Sequence, residues 1–300
     1  MALLPTSAWR NIVRTVLRPA LDPDLPIAEQ RRRVALATRL LPRARGVRIV
    51  PANPGEPHGE WHRPPGAGPE RVILYLHGGG FVLGSPRTHR ALASALAAAA
   101  GAPVFVLDYR LAPEFPFPAA LEDAVGAWEW LTAVLPGRRR VAVSGDSAGG
   151  NLAIGVALEA ARRGNAASGL CLFSPWLDLT CAESTAASAP ADIMLGPEWM
   201  RACARLYLAG ENGGDPRASP GHADLGTLPA TLVQFTDNER LAPEIARFCD
   251  QAREAGADLR SDQRPGLWHA WHGLGRALKP ADQALYDAGR FLRERLELGH

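Results

Sequence analysis

A serine stands between glycines where an apolar run gives way to an alanine-rich helical pattern. The segment Val141–Gly150 reads VAVSGDSAGG, so that Ser147 is the centre of a G-x-S-x-G pattern with a predicted strand before it and a predicted helix after it. Side chains two residues away would collide in so tight a turn, and glycine removes them. The turn exposes the serine oxygen beside the amides of a helix N-terminus. The pattern predicts a nucleophile, although it also arises by chance in glycine-rich chains.

A second glycine run lies 70 residues earlier, after the apolar segment Arg71–Leu76, and reads His77-Gly78-Gly79-Gly80. Acyl transfer requires donors aimed at the oxygen that becomes negative in the tetrahedral intermediate, and backbone amides suit this role because they are held in place. We assign the amides of Gly78, Gly79 and Ala148 to such an oxyanion hole. The alternative is a plain glycine turn. His77 is interpreted as a structural residue that orients this loop.

The two motifs together resemble those of the hormone-sensitive-lipase-like family of α/β-hydrolase esterases. Further stretches that agree, in the same order, are Asp108–Glu114, Phe117–Asp123, Ser174–Thr180, Ala218–Pro220 and Leu228–Pro229. The resemblance covers about residue 45 to the C-terminus. It implies an α/β-hydrolase fold with a helical cap, in which residues 1–45 and 180–217 pack together over the active site.

In the hydrolase fold the triad residues follow one another along the chain in the order serine, acid, histidine, so the base is expected after the acid. His269 follows the predicted last strand and precedes the C-terminal helical pattern, so that a loop carries its imidazole to the serine, and it matches the base position of the family. His272 is the local competitor. It is interpreted, with the others, as a surface or capped residue; these others are His58, His62, His89, His222 and His300.

The acid is expected in the loop between a predicted strand at 230–235 and a predicted helix at 241–256, which holds Asp237 and Glu239. The family usually has an aspartate here, and matching the ends of the two elements places Glu239 at that position. Asp237 remains the alternative. The loop departs from the family pattern at Thr236, where glycine is common, and at Pro243, which replaces a later acid. Both acids could instead only cap the helix, a role that would suit Asp237.

Strands and helices alternate from about Val47 onward. Strands are predicted at Val47–Val50, Glu60–Arg63, Val72–Leu76, Val104–Asp108, Val141–Ser144, Leu170–Phe173, Thr231–Phe235 and Leu259–Gln263, and helices at Arg87–Ala100, Ala119–Leu135, Ala148–Arg163, Glu244–Ala255 and Ala281–Leu296. This alternation predicts a mostly parallel eight-stranded sheet flanked by helices, with the first two strands as an antiparallel edge. We divide the chain into an N-terminal cap segment, 1–45, and a hydrolase core, 46–300, of which 180–217 contributes to the cap.

Two features of the predicted cap concern substrate access. Pro5–Arg18 is amphipathic, with an apolar stripe led by Trp9 and three arginines opposite, and we expect it to belong to the cap; the alternative is a helix lying on a membrane surface. In the second cap segment, apolar side chains could line an acyl or alcohol pocket or only hold the cap to the core. They are Ile193, Met194, Leu195, Trp199, Met200, Leu206 and Leu208.

Composition narrows the function classes. The chain has 300 residues and a net charge of +2. Its arginines are dispersed, so nucleic acid is not an expected partner. The short runs Arg31–Arg33 and Arg138–Arg140 are interpreted as solvated turns and helix faces. No metal-ligand spacing or nucleotide motif is present, and neither a metal nor a cofactor is expected. The four cysteines are scattered, with Cys171 interpreted as a core thiol. This usage and the absence of a long apolar N-terminal run favour a cytoplasmic protein without stable membrane insertion.

The chain is therefore expected to be a serine carboxylesterase that hydrolyses short- to medium-chain esters through Ser147, His269 and Glu239. Its expected partner is a small-molecule ester, and a homodimer is left open. One alternative is a lactone or activated-amide hydrolase of the same fold. Another is a hydrolase-fold protein that binds a small molecule without catalysis, which the presence of nucleophile, base and acid disfavours.

Overall fold

The computed structural model describes residues 4–133 and 140–297. The strands are β1 (Arg48–Pro51), β2 (Gly59–Arg63), β3 (Arg71–Leu76), β4 (Val104–Leu107), β5 (Arg140–Asp146), β6 (Leu170–Phe173), β7 (Thr231–Phe235) and β8 (Leu259–Gln263). All eight correspond to predicted strands. The largest difference is at β5, which continues two residues further than predicted and ends directly before Ser147.

The strands form one sheet in the order β1-β2-β4-β3-β5-β6-β7-β8. β1 and β2, and β2 and β4, are antiparallel, and every pair from β4 through β3 to β8 is parallel. The predicted mostly parallel sheet with an antiparallel edge is thus confirmed. β3 pairs with β5 in a register that sets Leu76 against Gly145. The glycine run after β3 and the serine turn after β5 consequently leave the sheet side by side, at the carboxyl edge where open α/β sheets bind ligands.

Within the described ranges the α-helices are α1 (Thr6–Ile12), α2 (Ile27–Thr38), α3 (Arg90–Ala100), α4 (Ala119–Ala133), α5 (Ala148–Arg162), α6 (Pro197–Leu208), α7 (Ala242–Glu254) and α8 (Lys279–Glu297). The five predicted helices correspond to α3, α4, α5, α7 and α8; the last two predicted residues of α4 lie outside the described residues. α2 and α6 occur in the two segments that fall outside the strand–helix alternation. None of these helices is long and apolar enough to cross a bilayer.

The core lies on both faces of the sheet, and β3 shows how its side chains divide. Leu74 and Leu76 belong to the cluster that includes residues of α4, α5 and α7, whereas Ile73 and Tyr75 belong to the cluster that includes residues of α3 and α8. This is the two-residue alternation of a strand. Because helices cover both faces, the strands from β3 to β7 are almost entirely buried and mostly apolar, as parallel strands usually are.

The predicted N-terminal amphipathic helix begins as α1, then continues through a π-helical turn, Val13–Leu17, and a 3-10 turn, Arg18–Leu21. Its stripe of Trp9, Val13 and Leu17 packs with the apolar side chains of the chain segment that carries His269 and of the start of α8. The indole Nε1 of Trp9 donates a hydrogen bond to the carbonyl of Ala277 at 3.1 Å. These three residues of the stripe are therefore covered by protein and do not face a membrane, whereas Val16 of the same stripe is exposed.

Candidate active site

The turn that carries Ser147 has the backbone that the glycine pattern predicts. Ser147 has φ 53° and ψ −121°, in the region that favours glycine. A Cβ at Gly145 would lie 2.2 Å from the carbonyl oxygen of Gly149, and one at Gly149 would lie 2.0 Å from that of Leu76. Both are collisions, so only glycine fits at these two positions. The Ser147 amide is held by the Phe173 carbonyl at 2.9 Å, which fixes the turn against β6.

The structure brings Ser147, His269 and Glu239 into one hydrogen-bonded line. His269 Nε2 lies 2.9 Å from Ser147 Oγ, and its Nδ1 lies 2.7 Å from Glu239 Oε2. All three side chains are buried. The imidazole is thus held at one nitrogen by a carboxylate while the other faces the serine hydroxyl, which is the arrangement that activates a serine nucleophile.

The second carboxylate oxygen of Glu239 is also held. Its Oε1 accepts hydrogen bonds from Ser174 Oγ at 2.9 Å and from the Thr236 amide at 3.0 Å. Two donors on this oxygen orient the other oxygen toward His269. Ser174 was not among the predicted site residues, although it opens the Ser174–Thr180 stretch that carried part of the family resemblance. The signal that could have identified Ser174 is its position directly after β6, the strand that pairs with β7.

Asp237, the alternative acid, has other partners. Its Oδ1 accepts from the Gly266 amide at 3.1 Å and from Thr236 Oγ1 at 3.2 Å. It thereby joins the loop after β7 to the loop that carries His269. α7 begins without a side-chain capping bond, so the prediction that these acids only cap the helix is wrong for both.

The charge of Glu239 sets the ionisation of His269. Burial on its own would lower the pKa of His269, but the hydrogen bond and the negative charge of Glu239 outweigh burial and raise the pKa above its ordinary value of 6.5. The imidazole is therefore a stronger base than a free histidine. This favours transfer of the serine proton to it.

The oxyanion-hole assignment requires one correction. The amide of Gly78 donates to Asp146 Oδ1 at 3.0 Å, so its hydrogen is committed and the assignment of Gly78 is wrong. Among the described residues, neither Gly79 nor Gly80 has an acceptor for its amide. Ala148 is the first residue of α5, where an amide has no partner within the helix. Gly80 was missed because a run of three glycines does not reveal which amides are occupied.

Asp146, directly before Ser147, organises the polar groups behind the turn. It accepts from Tyr75 Oη at 2.6 Å and from Gly78, and it lies 3.4 Å from His89 Nε2. Burial would raise the pKa of this carboxyl, but the positive charge of His89 and these hydrogen bonds lower it to about 2. His89 also lines the cavity, so its interpretation as a surface or capped residue is wrong.

The remaining histidines divide into buried and exposed groups. His272 is fully buried between the rings of Trp271 and Phe173, with centroids at 3.7 and 4.6 Å, and burial lowers its pKa well below the ordinary value. His62 is fully buried in β2, where burial lowers its pKa to about 4. Both were predicted to be surface or capped residues, and both predictions are wrong because a neutral imidazole packs like an aromatic ring.

Four other histidines remain in the chain. His58 and His222 are exposed, as predicted. His77 is buried and stacked on Tyr109 at 4.2 Å, and burial lowers its pKa to about 3, which agrees with a structural role. His300 lies outside the described residues.

Arg31 is not the solvated residue that was predicted. Its Nε donates to the Val82 carbonyl at 2.9 Å, and its Nη2 donates to the Ala112 carbonyl at 2.9 Å and to the Glu114 carboxylate at 2.7 Å. α2 is thereby anchored to the chain that follows the glycine run. Arg140 opens β5 and donates to the Leu296 carbonyl, while 138 and 139 lie outside the described residues.

Ser147 and His269 line a cavity of about 120 Å³ whose other walls are mostly apolar. The N-terminal segment and α2 contribute Leu17, Leu21, Val34, Thr38 and Leu41, and the segment 180–217 contributes Met194, Leu195 and Trp199. Ile193, Met200, Leu206 and Leu208 do not line it. Both segments outside the strand–helix alternation therefore border the space in front of Ser147. The four cysteines are buried and free, Cys171 within the core as predicted.

Comparison with known proteins agrees with this architecture. A family model described as the alpha/beta hydrolase fold matches residues 73–273. An esterase of Acinetobacter venetianus is 33% identical over 293 residues, 97% of this chain and 92% of its own. An acetyl-hydrolase of Streptomyces hygroscopicus is 42% identical over 238 residues, 78% of this chain and 79% of its own.

A solved structure extends the agreement to three dimensions. The crystal structure of an esterase from the bacterial hormone-sensitive lipase family superposes with a TM-score of 0.90 at 35% identity, over 98% of this chain and all of that one. The fold and the matched family define an α/β hydrolase. Within that class, the chain belongs to the hormone-sensitive-lipase-like family of esterases, as the sequence motifs predict.

Proposed function

We propose that this protein is a cofactor-independent serine carboxylesterase in which Ser147 is the nucleophile, His269 the general base and Glu239 the triad acid. The observation that carries the proposal is the continuous line of hydrogen bonds from Ser147 Oγ through both nitrogens of His269 to Glu239. Its location at the wall of an apolar cavity supports an uncharged organic substrate.

The first half-reaction acylates the serine. His269 Nε2 takes the proton of Ser147 Oγ while this oxygen bonds to the ester carbonyl carbon, and Glu239 stabilises the resulting imidazolium through Nδ1. The carbonyl oxygen becomes an oxyanion, for which the amides of Gly79, Gly80 and Ala148 are the donors. As the tetrahedral intermediate collapses, the bond to the alcohol breaks, and His269 returns the proton to the departing alkoxy oxygen.

The second half-reaction releases the acid. A water molecule gives a proton to His269 and attacks the acyl carbon, and a second tetrahedral intermediate forms against the same amides. The bond to Ser147 Oγ then breaks, and this oxygen regains its proton from His269. The carboxylic acid leaves, and serine and imidazole are restored to their starting protonation.

The size of the cavity supports short- to medium-chain acyl groups. Its volume is about 120 Å³, and a protein cavity of roughly 150 Å³ accommodates a benzene-sized group. The name of the Streptomyces acetyl-hydrolase, 42% identical, points the same way. A panel of p-nitrophenyl esters of increasing chain length tests this point, and we expect kcat/KM to peak among the short acyl chains. Equal or better hydrolysis of palmitoyl esters would contradict it.

The assignment of the nucleophile is tested by Ser147→Ala. We expect this variant to lose several powers of ten in kcat and to resist labelling by a fluorophosphonate probe, while its circular dichroism remains that of the parent. Ser188→Ala, at an exposed serine in the second cap segment, is the matched control. Retention of turnover and labelling by Ser147→Ala would disprove the assignment of Ser147 as the nucleophile.

A further inference from the structure

Charge is distributed unevenly along this chain. Residues 1–48 contain ten arginines and three acidic residues, whereas residues 49–300 contain 23 basic and 28 acidic residues. The first segment therefore carries a net charge of +7 and the remainder −5. Positive charge is concentrated in the part of the chain that contributes α1 and α2 beside the cavity.

Exposed apolar side chains are concentrated in the same part. Six large apolar residues stand out as exposed within the described ranges, and four of them lie between residues 4 and 40; these are Leu4, Val16, Leu36 and Leu40. Leu36 is 52% exposed and Leu40, two residues past the end of α2, is 90% exposed. These side chains bury only part of their apolar surface within the fold, and a concentration of exposed apolar side chains is typical of an interaction surface.

Leu36 lies on the side of α2 that faces away from the cavity. The α2 residues Val34 and Thr38 line the cavity, and Leu36, two positions from each, projects from the opposite side of the helix because residues two apart are about 200° apart around a helix. One face of α2 thus belongs to the candidate active site, and the other presents leucine to solvent.

Within the described residues, the arginines closest in sequence to Leu40 have no acidic partner. Arg39 and Arg43 are exposed, and neither makes an ion pair within residues 4–133 and 140–297. Arg32 and Arg33, by contrast, share the carboxylate of Glu29. Two unpaired cations therefore flank the most exposed leucine of the described chain.

We propose that Leu36 on α2 and three residues that follow the end of this helix, Arg39, Leu40 and Arg43, together called the outer face, dock onto an anionic phospholipid bilayer. Leucine side chains enter the headgroup region and arginines bind the lipid phosphates, the combination by which amphipathic segments lie on membranes. Docking holds the cavity wall next to the bilayer, where apolar esters are concentrated. The proposal goes beyond ester hydrolysis, because binding to vesicles does not require the chemical step.

Charge selects this occupant over a second copy of the chain. In a two-fold symmetric dimer through this face, a patch meets the same patch on its partner. The unpaired arginines would then oppose one another across the contact. An anionic surface provides the complementary charge instead.

The experiment is co-sedimentation of the full chain, in its Ser147→Ala form, with vesicles of phosphatidylcholine alone or mixed with phosphatidylglycerol. We expect binding to the mixed vesicles that falls at high salt. Arg39→Gln with Arg43→Gln should weaken it about fivefold per arginine, and Leu36→Ser with Leu40→Ser about tenfold or more. Phe115→Ser, at an exposed aromatic residue outside the segment, is the matched control and should bind like the parent.

Three outcomes would overturn the proposal. One is equal binding, or none, to the two kinds of vesicle. Another is a loss in Phe115→Ser as large as that in the leucine variant. The third is a concentration-dependent dimer in light scattering that the leucine variant dissociates, which would assign this face to a second copy. The arginine and leucine substitutions are also made in the protein that retains Ser147. Turnover of p-nitrophenyl acetate equal to that of the parent, together with an unchanged Tm, verifies that these variants are folded.

Discussion

The carboxylate of Asp146 accepts the amide hydrogen of Gly78 at 3.0 Å. The residue before the nucleophile thereby holds the first glycine of the run that follows β3. Ser147 and the free amides of Gly79 and Gly80 are thus attached to opposite ends of one hydrogen bond. The serine turn and the proposed oxyanion hole cannot move independently, and this bond joins them.

Asp146→Asn should therefore reduce kcat more than it changes KM. The asparagine side chain carries no negative charge with which to hold Gly78, Tyr75 and His89. A hydrogen bond to a charged group contributes about 1.5–3 kcal/mol, so we expect kcat to fall about 10- to 100-fold. Steady-state kinetics on p-nitrophenyl acetate measure the change. Asp250→Asn, at an exposed carboxylate on α7, serves as the control. Parental kcat in Asp146→Asn would mean that the glycine run keeps its position without this bond.

Glu239→Gln should be far more damaging than Asp237→Asn. The glutamine cannot stabilise the imidazolium, and loss of the corresponding charge in a serine triad lowers kcat about 10⁴-fold. Within the described residues, Asp237 accepts hydrogen bonds from Thr236 and Gly266 and not from His269, so its asparagine variant should remain within about tenfold of the parent. Both are measured as kcat at saturating ester. If the Asp237 variant is the inactive one, the triad acid is Asp237.

The pH dependence of kcat/KM should report the raised pKa of His269. The base acts only when neutral, and because its pKa lies above 6.5, protonation persists to higher pH than for a free histidine. Activity on a neutral ester should therefore fall tenfold per unit as the pH decreases below a midpoint that lies above 6.5. Glu239→Gln should move this midpoint downward, since the charge that raises the pKa is removed. A parental midpoint at or below 6.5 would count against the role of Glu239.

Arg31→Met should loosen α2 and raise KM. The substitution removes the donors to two backbone carbonyls and to Glu114, with an expected loss of about 1–2 kcal/mol in the free energy of unfolding and a Tm lower by a few degrees. Thermal melts and KM values measure the two effects. Arg31→Lys should rescue neither fully, because a single ammonium cannot reproduce the guanidinium fork. Arg33→Met, on the exposed side of α2, is the control, and an equal effect there would refute a specific anchor.

Much of the fold and site could be predicted from local sequence. The strands from β3 to β7 are short, mostly apolar runs between turn residues, and the glycines around Ser147 are required because a Cβ there would collide with backbone atoms. Both signals depend on residues that are close together in the chain, so they can be recognised in the sequence. The order serine, acid, histidine along the chain then favoured His269 as the base. It left Asp237 and Glu239 as the two candidates for the acid.

Tertiary structure decided which of these groups meet. Asp146 and Gly78 are 68 positions apart in the chain, and Ser147 and His269 are 122 apart. Whether an amide is free, an acid faces the base, or a histidine such as His272 is buried depends on the register of β3 on β5 and on how loops from distant strands pack together. Hydrogen bonds of this kind require distances near 3 Å between residues that no local pattern relates, and only the packed sheet establishes them.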